Sequence, residues 1–164
     1  MKLVKVENIE NIKQLSVLAT EIWHEYWTCI LSLEQIDYMV EKFQSFDAMQ
    51  KQIEYENYSY FFLVVNNNIL GYCGISEKEE YLFLSKLYLK KEYRHLGYGA
   101  KAFEKICDFS KELNYKTIRL TVNKNNTNTI NAYLKYGFEI VGAVVTDIGS
   151  GFVMDDYIMD YTVE

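Results

Sequence analysis

The fold is decided by one stretch of the sequence, residues 82–106, which reads LFLSKLYLKKEYRHLGYGAKAFEKI. Six of its first eight residues are apolar or aromatic, as in a strand, and the residues from Gly97 onward have helical spacing. A charged turn and two glycines, Gly97 and Gly99, lie between these segments. Glycine has no Cβ to hold a ligand away from the backbone, and the first turn of a helix has free N–H groups. The stretch therefore predicts a strand, a turn and a helix whose N-terminus binds a pyrophosphate.

The turn differs from two common phosphate-binding loops. It lacks the Gly-Lys-Ser/Thr sequence of nucleoside-triphosphate loops. The spacing Gly97-x-Gly99-x-x-Ala102 fits the dinucleotide fingerprint, but that fingerprint needs an acidic residue about 20 positions later. No Asp or Glu occurs between Glu112 and Glu139. The sequence therefore favours a different pyrophosphate ligand, to which the Arg94 guanidinium can add a charge-assisted hydrogen bond.

The segments on either side predict a mixed sheet flanked by helices. Strands are predicted over 2–6, 60–65, 69–75, 81–89, 117–122, 138–145 and 152–162, and helices over 8–28, 32–53, 97–113 and 127–136. A break in the second helix is expected near 45–48. The order β-α-α-β-β-β-α-β-α-β-β mixes a meander with parallel-type crossovers. The fold class is α/β or α+β, and residues 1–164 are expected to form one domain.

Composition excludes several classes of protein. With 49% hydrophobic and 24% charged residues and no proline, the chain is neither disordered nor proline-rich. The odd and scattered cysteines Cys29, Cys73 and Cys107 form no disulfide framework, which favours the reducing cytoplasm. No signal peptide or membrane-spanning segment is expected. The net charge is −6, but residues 86–105 carry six basic residues, a pattern that favours a small anionic ligand over nucleic acid.

Together, four motifs resemble the GCN5-related N-acetyltransferase (GNAT) superfamily over nearly the whole chain. They are Arg94-x-x-Gly97-x-Gly99 after a strand, the strand 117–122, Asn126-x-Asn128, and Tyr133-x-x-x-Gly137-Phe138. A weaker resemblance is to the spermidine/spermine acetyltransferases of low-G+C bacteria. It rests on Ile22-Trp23-His24-Glu25, Leu70-Gly71-Tyr72 and the segment 154–159.

The resemblance implies acetyl-CoA as the cofactor and a central, mostly antiparallel sheet that is splayed where the cofactor enters. Main-chain amides of the glycine turn are expected to hold its pyrophosphate: those of Arg94, His95, Leu96, Gly97, Tyr98, Gly99 and Ala100. The backbone of Leu87 and Leu89 is expected to pair with the pantetheine arm. Position and residue type predict that Asn126 and Asn128 cap the helix near Thr127, and the resemblance adds a cofactor contact for Asn128.

Direct acetyl transfer needs a neutral amine, a polarised carbonyl and a proton for the departing thiolate. A tyrosine with a pKa near ~10 can protonate a thiolate whose conjugate acid is near ~8.5 at modest cost. The resemblance places Tyr133 in that role, four residues before Gly137-Phe138. A main-chain N–H on the preceding strand, that of Leu87, is the expected oxyanion donor, because a fixed dipole stabilises developing charge without reorganising.

The general base is left open by the sequence. Ser85 occupies the strand position where the family often has Glu, and a serine cannot take that role unaided. Either water carries the proton to Glu79, Glu80, Glu25 or His24, or the amine arrives neutral. Asp155 and Asp156 belong to an acidic tail that can steer a cationic polyamine or simply form a solvated face.

The sequence thus predicts a cytoplasmic N-acetyltransferase that acts on a primary amine of a small molecule, with a polyamine as the first candidate. No metal, nucleic acid or membrane is expected to take part. Alternative acceptors are a protein amino terminus, a lysine or an antibiotic amine. A non-catalytic acyl-CoA sensor is the alternative that Ser85 leaves open. The aromatic closing strands make a homodimer plausible.

Overall fold

The computed structural model describes residues 1–164 and contains one seven-stranded sheet with helices on both faces. The strands are β1 (Lys2–Lys5), β2 (Tyr58–Val65), β3 (Asn68–Glu77), β4 (Leu82–Leu89), β5 (Thr117–Asn123), β6 (Glu139–Gly149) and β7 (Phe152–Thr162). The helices are α1 (Ile9–Tyr26), α2 (Leu33–Gln44), α3 (Phe46–Tyr55), α4 (Tyr98–Glu112) and α5 (Thr127–Lys135). Short 3₁₀ helices cover Trp27–Cys29 and Lys91–Tyr93.

The strand order across the sheet is β1-β2-β3-β4-β5-β7-β6. All neighbouring strands are antiparallel except β4 and β5, which are parallel because α4 carries the chain back between them. This arrangement confirms the predicted mixed, mostly antiparallel sheet. None of the helices combines the length and apolar character needed to cross a membrane.

The core lies on both faces of the sheet. One cluster packs α4 and α5 against the strands and includes Phe103 and Tyr133. A second packs α1 and α3 against the opposite face, around Leu15 and Tyr60. A third joins α1 and α2 to the tip of the β6–β7 hairpin at Ile148. Different helices therefore cover the two faces of the sheet. A ligand that passed through the sheet would contact both faces.

Local sequence accounts for the ends of the helices. Asn8 and Ser32 accept hydrogen bonds from backbone N–H groups in the first turns of α1 and α2. Ser45 ends α2 and caps α3, so the segment predicted as one helix with a break forms two helices. Asn66 and Asn67, both with positive φ, make the two-residue turn between β2 and β3.

The two parallel strands diverge soon after they begin. Pairing between β4 and β5 is limited to Leu82 with Ile118 and Phe83 with Arg119. Just beyond that pairing, β4 has a bulge: Gly74 pairs with Lys86 and Ile75 with Leu84, which leaves Ser85 as the extra residue. The remainder of β4 therefore separates from β5, and a gap opens toward the glycine turn.

Lys86, next to the bulge, is one of two buried charged residues; the other is Asp156. The Lys86 ammonium donates to the Tyr60 hydroxyl at 2.6 Å and lies 4.8 Å from the centre of the Tyr58 ring. Gly74 makes room for this contact, because a Cβ there would lie 2.7 Å from a carbon of the Tyr60 ring. Burial lowers the pKa of Lys86 from 10.5 to about 7.

We expect Lys86→Met to stabilise the protein at pH 6.5. The unfolded chain binds the lysine proton more tightly than the folded chain, so the cost is complete below pH 7 and fades as the pH rises toward 10.5. Removing the charge should raise the free energy of unfolding by about 2–4 kcal/mol at pH 6.5, and by less at pH 9.5. Denaturant unfolding at both pH values measures this difference, with Lys105→Met as the exposed control. A less stable variant at pH 6.5 would mean that the hydrogen bond and ring contacts outweigh desolvation.

Candidate functional site

The glycine turn opens at the N-terminus of α4. Gly97 is the N-terminal cap of the helix, with φ 80° in the left-handed region that glycine adopts without strain. His95, two residues earlier, also has positive φ, at 61°. The first turn of α4 contains no acidic residue, and the side chains of His95, Leu96 and Ala100 are exposed. The amide groups at this end of the helix are therefore open to an anion.

The free edge of β4 faces the gap. The Lys90 N–H donates to the Leu70 carbonyl on β3 at 2.8 Å. Polar backbone groups of successive strand residues point to opposite edges, so the N–H groups of Leu87 and Leu89 point away from β3. In agreement, the Leu89 carbonyl accepts a hydrogen bond from Arg94 Nε at 2.9 Å rather than from β3. The two N–H groups predicted to pair with a cofactor and to stabilise an oxyanion thus lie along the gap.

Arg94 is held inside the protein. Its Nη2 lies 2.5 Å from Glu25 Oε2, in an ion pair whose geometry does not complete a hydrogen bond for that nitrogen. The guanidinium also lies 4.9 Å from the centre of the Tyr26 ring, and only 18% of the side chain is exposed. In this structure the side chain connects α1 to the glycine turn. Nε and Nη2 already contact the Leu89 carbonyl and Glu25. The predicted hydrogen bond to a phosphate would therefore need another N–H group of the guanidinium.

Tyr133 lies on the α4/α5 face of the sheet. It is 9% exposed and packs edge to face against Phe138, with ring centres 5.2 Å apart. Burial, with smaller effects from Tyr26 and Tyr136, raises the pKa of Tyr133 well above the ordinary range of tyrosine. The phenol is therefore protonated at neutral pH, and the raised pKa makes proton transfer to a thiolate more costly than it is from an ordinary tyrosine. Tyr136 stacks on Phe103 at 5.5 Å, which agrees with a packing role.

Tyr26 is a site residue that sequence reasoning did not identify. Its hydroxyl donates to Asn126 Oδ1 at 3.0 Å and contacts Thr129 Oγ1 at 2.7 Å, so it joins the end of α1 to the start of α5. Its ring lies 6.0 Å from that of Tyr88 on β4. Tyr26 therefore contacts both β4 and the start of α5. One tyrosine among fifteen carries no local signal of such a contact.

The capping prediction is correct for the position of Asn126 but not for its side chain, and it is wrong for Asn128. Asn126 stands at the cap position of α5, but its side chain makes no capping bond, because its oxygen accepts from Tyr26. Asn128 is inside the helix and exposed. The exposed Asn128 amide is free for the predicted cofactor contact, whereas the Asn126 amide is buried against α1.

Two of the four candidate bases are engaged in ion pairs on α1. His24 Nε2 lies 2.6 Å from Asp37, and Nδ1 contacts the Thr20 carbonyl at 2.8 Å. The hydrogen bond to Asp37 is the main cause of the raised pKa of His24. Glu25 pairs with Arg94 and, at 3.9 Å, with Lys91. Both side chains are therefore engaged by other partners.

The other two candidates lie at the wrong end of the strand. Glu79 and Glu80 are exposed in the turn between β3 and β4, beside the pair Leu82 and Ile118 that closes the gap. From there to Leu87 is about 23 Å along a strand. This separation does not favour proton transfer through water to either glutamate. Ser85 is half-buried and accepts a hydrogen bond from the Tyr58 hydroxyl at 3.1 Å.

The two acidic residues of β7 differ sharply. Asp155 is exposed and lies 2.5 Å from Lys124 Nζ. Asp156 is 9% exposed, and its Oδ1 is buried without a hydrogen-bond partner. No cluster of three or more His, Cys, Asp or Glu side chains suited to a metal ion is present. The gap thus offers backbone donors and a protonated phenol, and β7 carries a carboxylate with an unpaired oxygen.

Comparison with known proteins places this arrangement in a family. Residues 19–138 match the acetyltransferase (GNAT) family, and the chain therefore belongs to it. The predicted family and the predicted acyltransferase class are confirmed. Among curated proteins, the chain is similar to a spermidine N(1)-acetyltransferase of Thermoplasma acidophilum, with 26% identity over 152 residues. That alignment covers 90% of this chain and 92% of the relative.

Two further comparisons cover different shares of the chain. The chain is 40% identical over 67 residues to the probable N-acetyltransferase san of Drosophila melanogaster, which is 40% of this chain and 36% of the Drosophila protein. The PaiA N-acetyltransferase of Thermoplasma acidophilum, solved in complex with coenzyme A, superimposes with a TM-score of 0.75 over 99% of both chains. At 21% identity, this likeness confirms the fold.

Proposed function

We propose that the protein is an acetyl-CoA-dependent N-acetyltransferase that transfers an acetyl group to a primary amine of a small molecule by direct attack. The observation that carries the proposal is the gap between β4 and β5, which runs from the bulge at Ser85 to the open N-terminus of α4. The resemblance to this family implies a sheet that is splayed where the cofactor enters, and the gap fits that expectation.

The residues around the gap fit acetyl-CoA. Gly97 and Gly99 leave the start of α4 uncovered, and no acid in its first turn repels a pyrophosphate. The N–H groups of Leu87 and Leu89 can pair with amide carbonyls of a pantetheine arm. Bound acetyl-CoA supplies an acetyl group activated as a thioester.

The protein's own groups then serve two steps. The Leu87 N–H lies where it can stabilise negative charge on the carbonyl oxygen, and as a fixed backbone dipole it needs no reorganisation. The Tyr133 hydroxyl, kept protonated by burial, donates its proton to the departing sulfur.

A polyamine is the first candidate acceptor. Its support is the similarity to the Thermoplasma spermidine acetyltransferase and the acidic residues of β7 near the gap. A protein amino terminus, a lysine or an antibiotic amine are the alternative acceptors. The acyl-CoA sensor is supported by one observation: Ser85, which stands where relatives often have a base, is bonded to Tyr58.

Release of free CoA from acetyl-CoA identifies the acceptor. We expect turnover with spermidine to exceed that with amino acids, an aminoglycoside, and peptides bearing a free amino terminus or lysine by at least about tenfold in kcat/KM, a difference of only ~1.4 kcal/mol. Greater turnover with another class would replace the polyamine. Tight binding of acetyl-CoA with no acceptor-dependent release would support the sensor.

The proposed setting is the cytoplasm, and the proposed assembly is a homodimer. Three free cysteines, of which Cys73 is buried, fit a reducing compartment. Strand β6 is an unpaired edge of the sheet whose large apolar side chains are exposed, with Val145 at 63%. An edge of this kind is usually covered, and a second copy is the partner we propose. The mass of the protein in solution tests the assembly.

A further inference from the structure

The buried carboxylate of Asp156 has no explanation in the fold itself. One of its oxygens is buried without a partner, although removing a carboxylate from water is costly. Lys124, whose charge acts on Asp156, lies 2.5 Å from Asp155 and forms no salt bridge with Asp156. On the neighbouring strands, Asn123 and Val144 stand opposite Asp156, and neither is charged. A charged partner is therefore missing from the chain.

Asp156 lies at the level of the reacting end of the gap. The last paired residues of the parallel strands are Phe83 on β4 and Arg119 on β5. Four residues further along each strand are Leu87 on β4 and Asn123 on β5. These two residues lie at the same height in the sheet, apart from the one-residue offset that the bulge at Ser85 introduces. Asn123 pairs with Asp156 across β5 and β7. Asp156 is thus one strand away from the gap, opposite the Leu87 N–H.

The carboxylate and the phenol occupy opposite faces of the sheet. On β7, Tyr157, Met159 and Tyr161 pack with α4 and α5, whereas Phe152 and Met154 pack with α1 and α2. Since side chains alternate along a strand, Asp156 lies on the face of Met154. Tyr133 lies on the other face. A group passing through the gap would therefore meet the phenol on one side and the carboxylate on the other.

We propose that Asp156 binds the ammonium of a primary alkylamine acceptor and takes its proton, which makes Asp156 the general base that the sequence lacks at Ser85. The inference rests on the proposed acetyl transfer and names its acceptor class. The proton moves from the ammonium to Asp156 Oδ1, and the freed lone pair forms the N–C bond. The C–S bond then breaks, its electron pair goes to sulfur, and Tyr133 protonates the thiolate. The Tyr133 phenolate then takes the second proton from the amine nitrogen and becomes a phenol again. Asp156 releases its proton to solvent.

The ionisation of Asp156 suits this role. Burial, with Asp155 adding and Lys124 opposing, raises the pKa of Asp156 to about 6. Those two side chains, from β7 and the turn after β5, are the charged groups that act on it. A base with this pKa is ionised at pH 7 yet still binds a proton during turnover, and general-base catalysis of this kind contributes about 10²–10⁴-fold.

Asp156→Asn tests the proposal, with spermidine as the probe and Asp108→Asn, an exposed carboxylate on α4, as the control. We expect kcat/KM to fall at least about 100-fold at pH 7.5 in Asp156→Asn alone. The rise of wild-type kcat/KM with pH through about 6 should disappear with it. Unchanged turnover, or an unchanged pH profile, overturns the proposal.

A second measurement does not depend on turnover. In carboxyl NMR, the wild type should show one aspartate that titrates near pH 6 and is absent from Asp156→Asn. Spermidine added to the complex with coenzyme A should lower the pKa of that carboxyl, because an ammonium favours the carboxylate. The thermal midpoint of the variant at pH 7.5 should equal or exceed that of the wild type, since a raised carboxyl pKa destabilises the fold above pH 6.

The outcomes separate the two proposals. If no amine releases CoA from the wild type but spermidine still shifts the Asp156 carboxyl, acetyl transfer fails and the ammonium site stands. If CoA is released and Asp156→Asn is as active as the wild type, acetyl transfer stands and the role of Asp156 is overturned. If spermidine leaves the carboxyl unmoved and release is absent, both fail.

Discussion

Tyr133→Phe should lower kcat by at least about 100-fold while the affinity for acetyl-CoA changes little. The substitution removes one hydroxyl and keeps the ring, whose contacts with Phe138 and Tyr136 hold α5 on the sheet. Without the phenol, the thiolate must leave unprotonated or take its proton from water. Steady-state CoA release measures kcat, and calorimetry with acetyl-CoA measures binding.

Tyr161→Phe is the matched control, because it removes a hydroxyl from the same aromatic cluster beside Phe103 and Phe138. Its turnover should stay within about threefold of the wild type, because Tyr161 pairs with Ile118 at the closed end of the gap. Equal turnover in Tyr133→Phe and the wild type would remove Tyr133 as the general acid. A loss of acetyl-CoA affinity in step with kcat would instead assign it to binding.

The elements around the site could be predicted from local rules. The glycine turn needs a left-handed conformation at Gly97 and a backbone without a Cβ at Gly99. Glycine meets both requirements, so the residue type alone predicts them. Asn8 and Ser32 mark helix starts in the same way. Capping and turn formation involve residues that are close in sequence. The strand, turn and helix of 82–106 can therefore be predicted from the sequence, and the structure contains them.

The long-range contacts could not be predicted in this way. Tyr26 reaches Asn126 across a hundred positions, and this bond displaced the capping role that position alone suggested. The bulge at Ser85 turns Lys86 toward Tyr60, yet a one-residue shift in pairing leaves no mark in a single strand's sequence. Residue type predicts four candidate bases, but it carries no information on their partners or on their positions in the fold.

Asp156 shows why a sequence motif does not by itself identify a functional residue. In the sequence it belongs to an acidic pair, and such pairs are most often solvated. Pairing of β7 with β5 separates the two: Asp155 points outward to Lys124, and Asp156 is buried near the gap. Only the register of the sheet distinguishes a surface charge from a catalytic candidate.

Gly99→Val should weaken binding of coenzyme A by at least about 100-fold without unfolding the protein. Gly99 is the second residue of α4, where N–H groups have no partner within the helix. A branched side chain there holds a pyrophosphate away from the backbone. Loss of two hydrogen bonds to a charged group, each worth about 1.5–3 kcal/mol, accounts for a change of this size. Calorimetry with coenzyme A measures it, and no acceptor is needed.

The fold should tolerate the valine because the space beside Gly99 is shared with a movable group. A Cβ there would lie 3.1 Å from the Tyr136 hydroxyl, the end of a side chain that can shift, and φ at this residue is not in the left-handed region. Glu104→Val places the same branched residue at an exposed position of α4 and should bind coenzyme A like the wild type. Retained affinity in Gly99→Val would show that the pyrophosphate does not approach this turn, whereas a parallel loss in both variants would trace the effect to the helix.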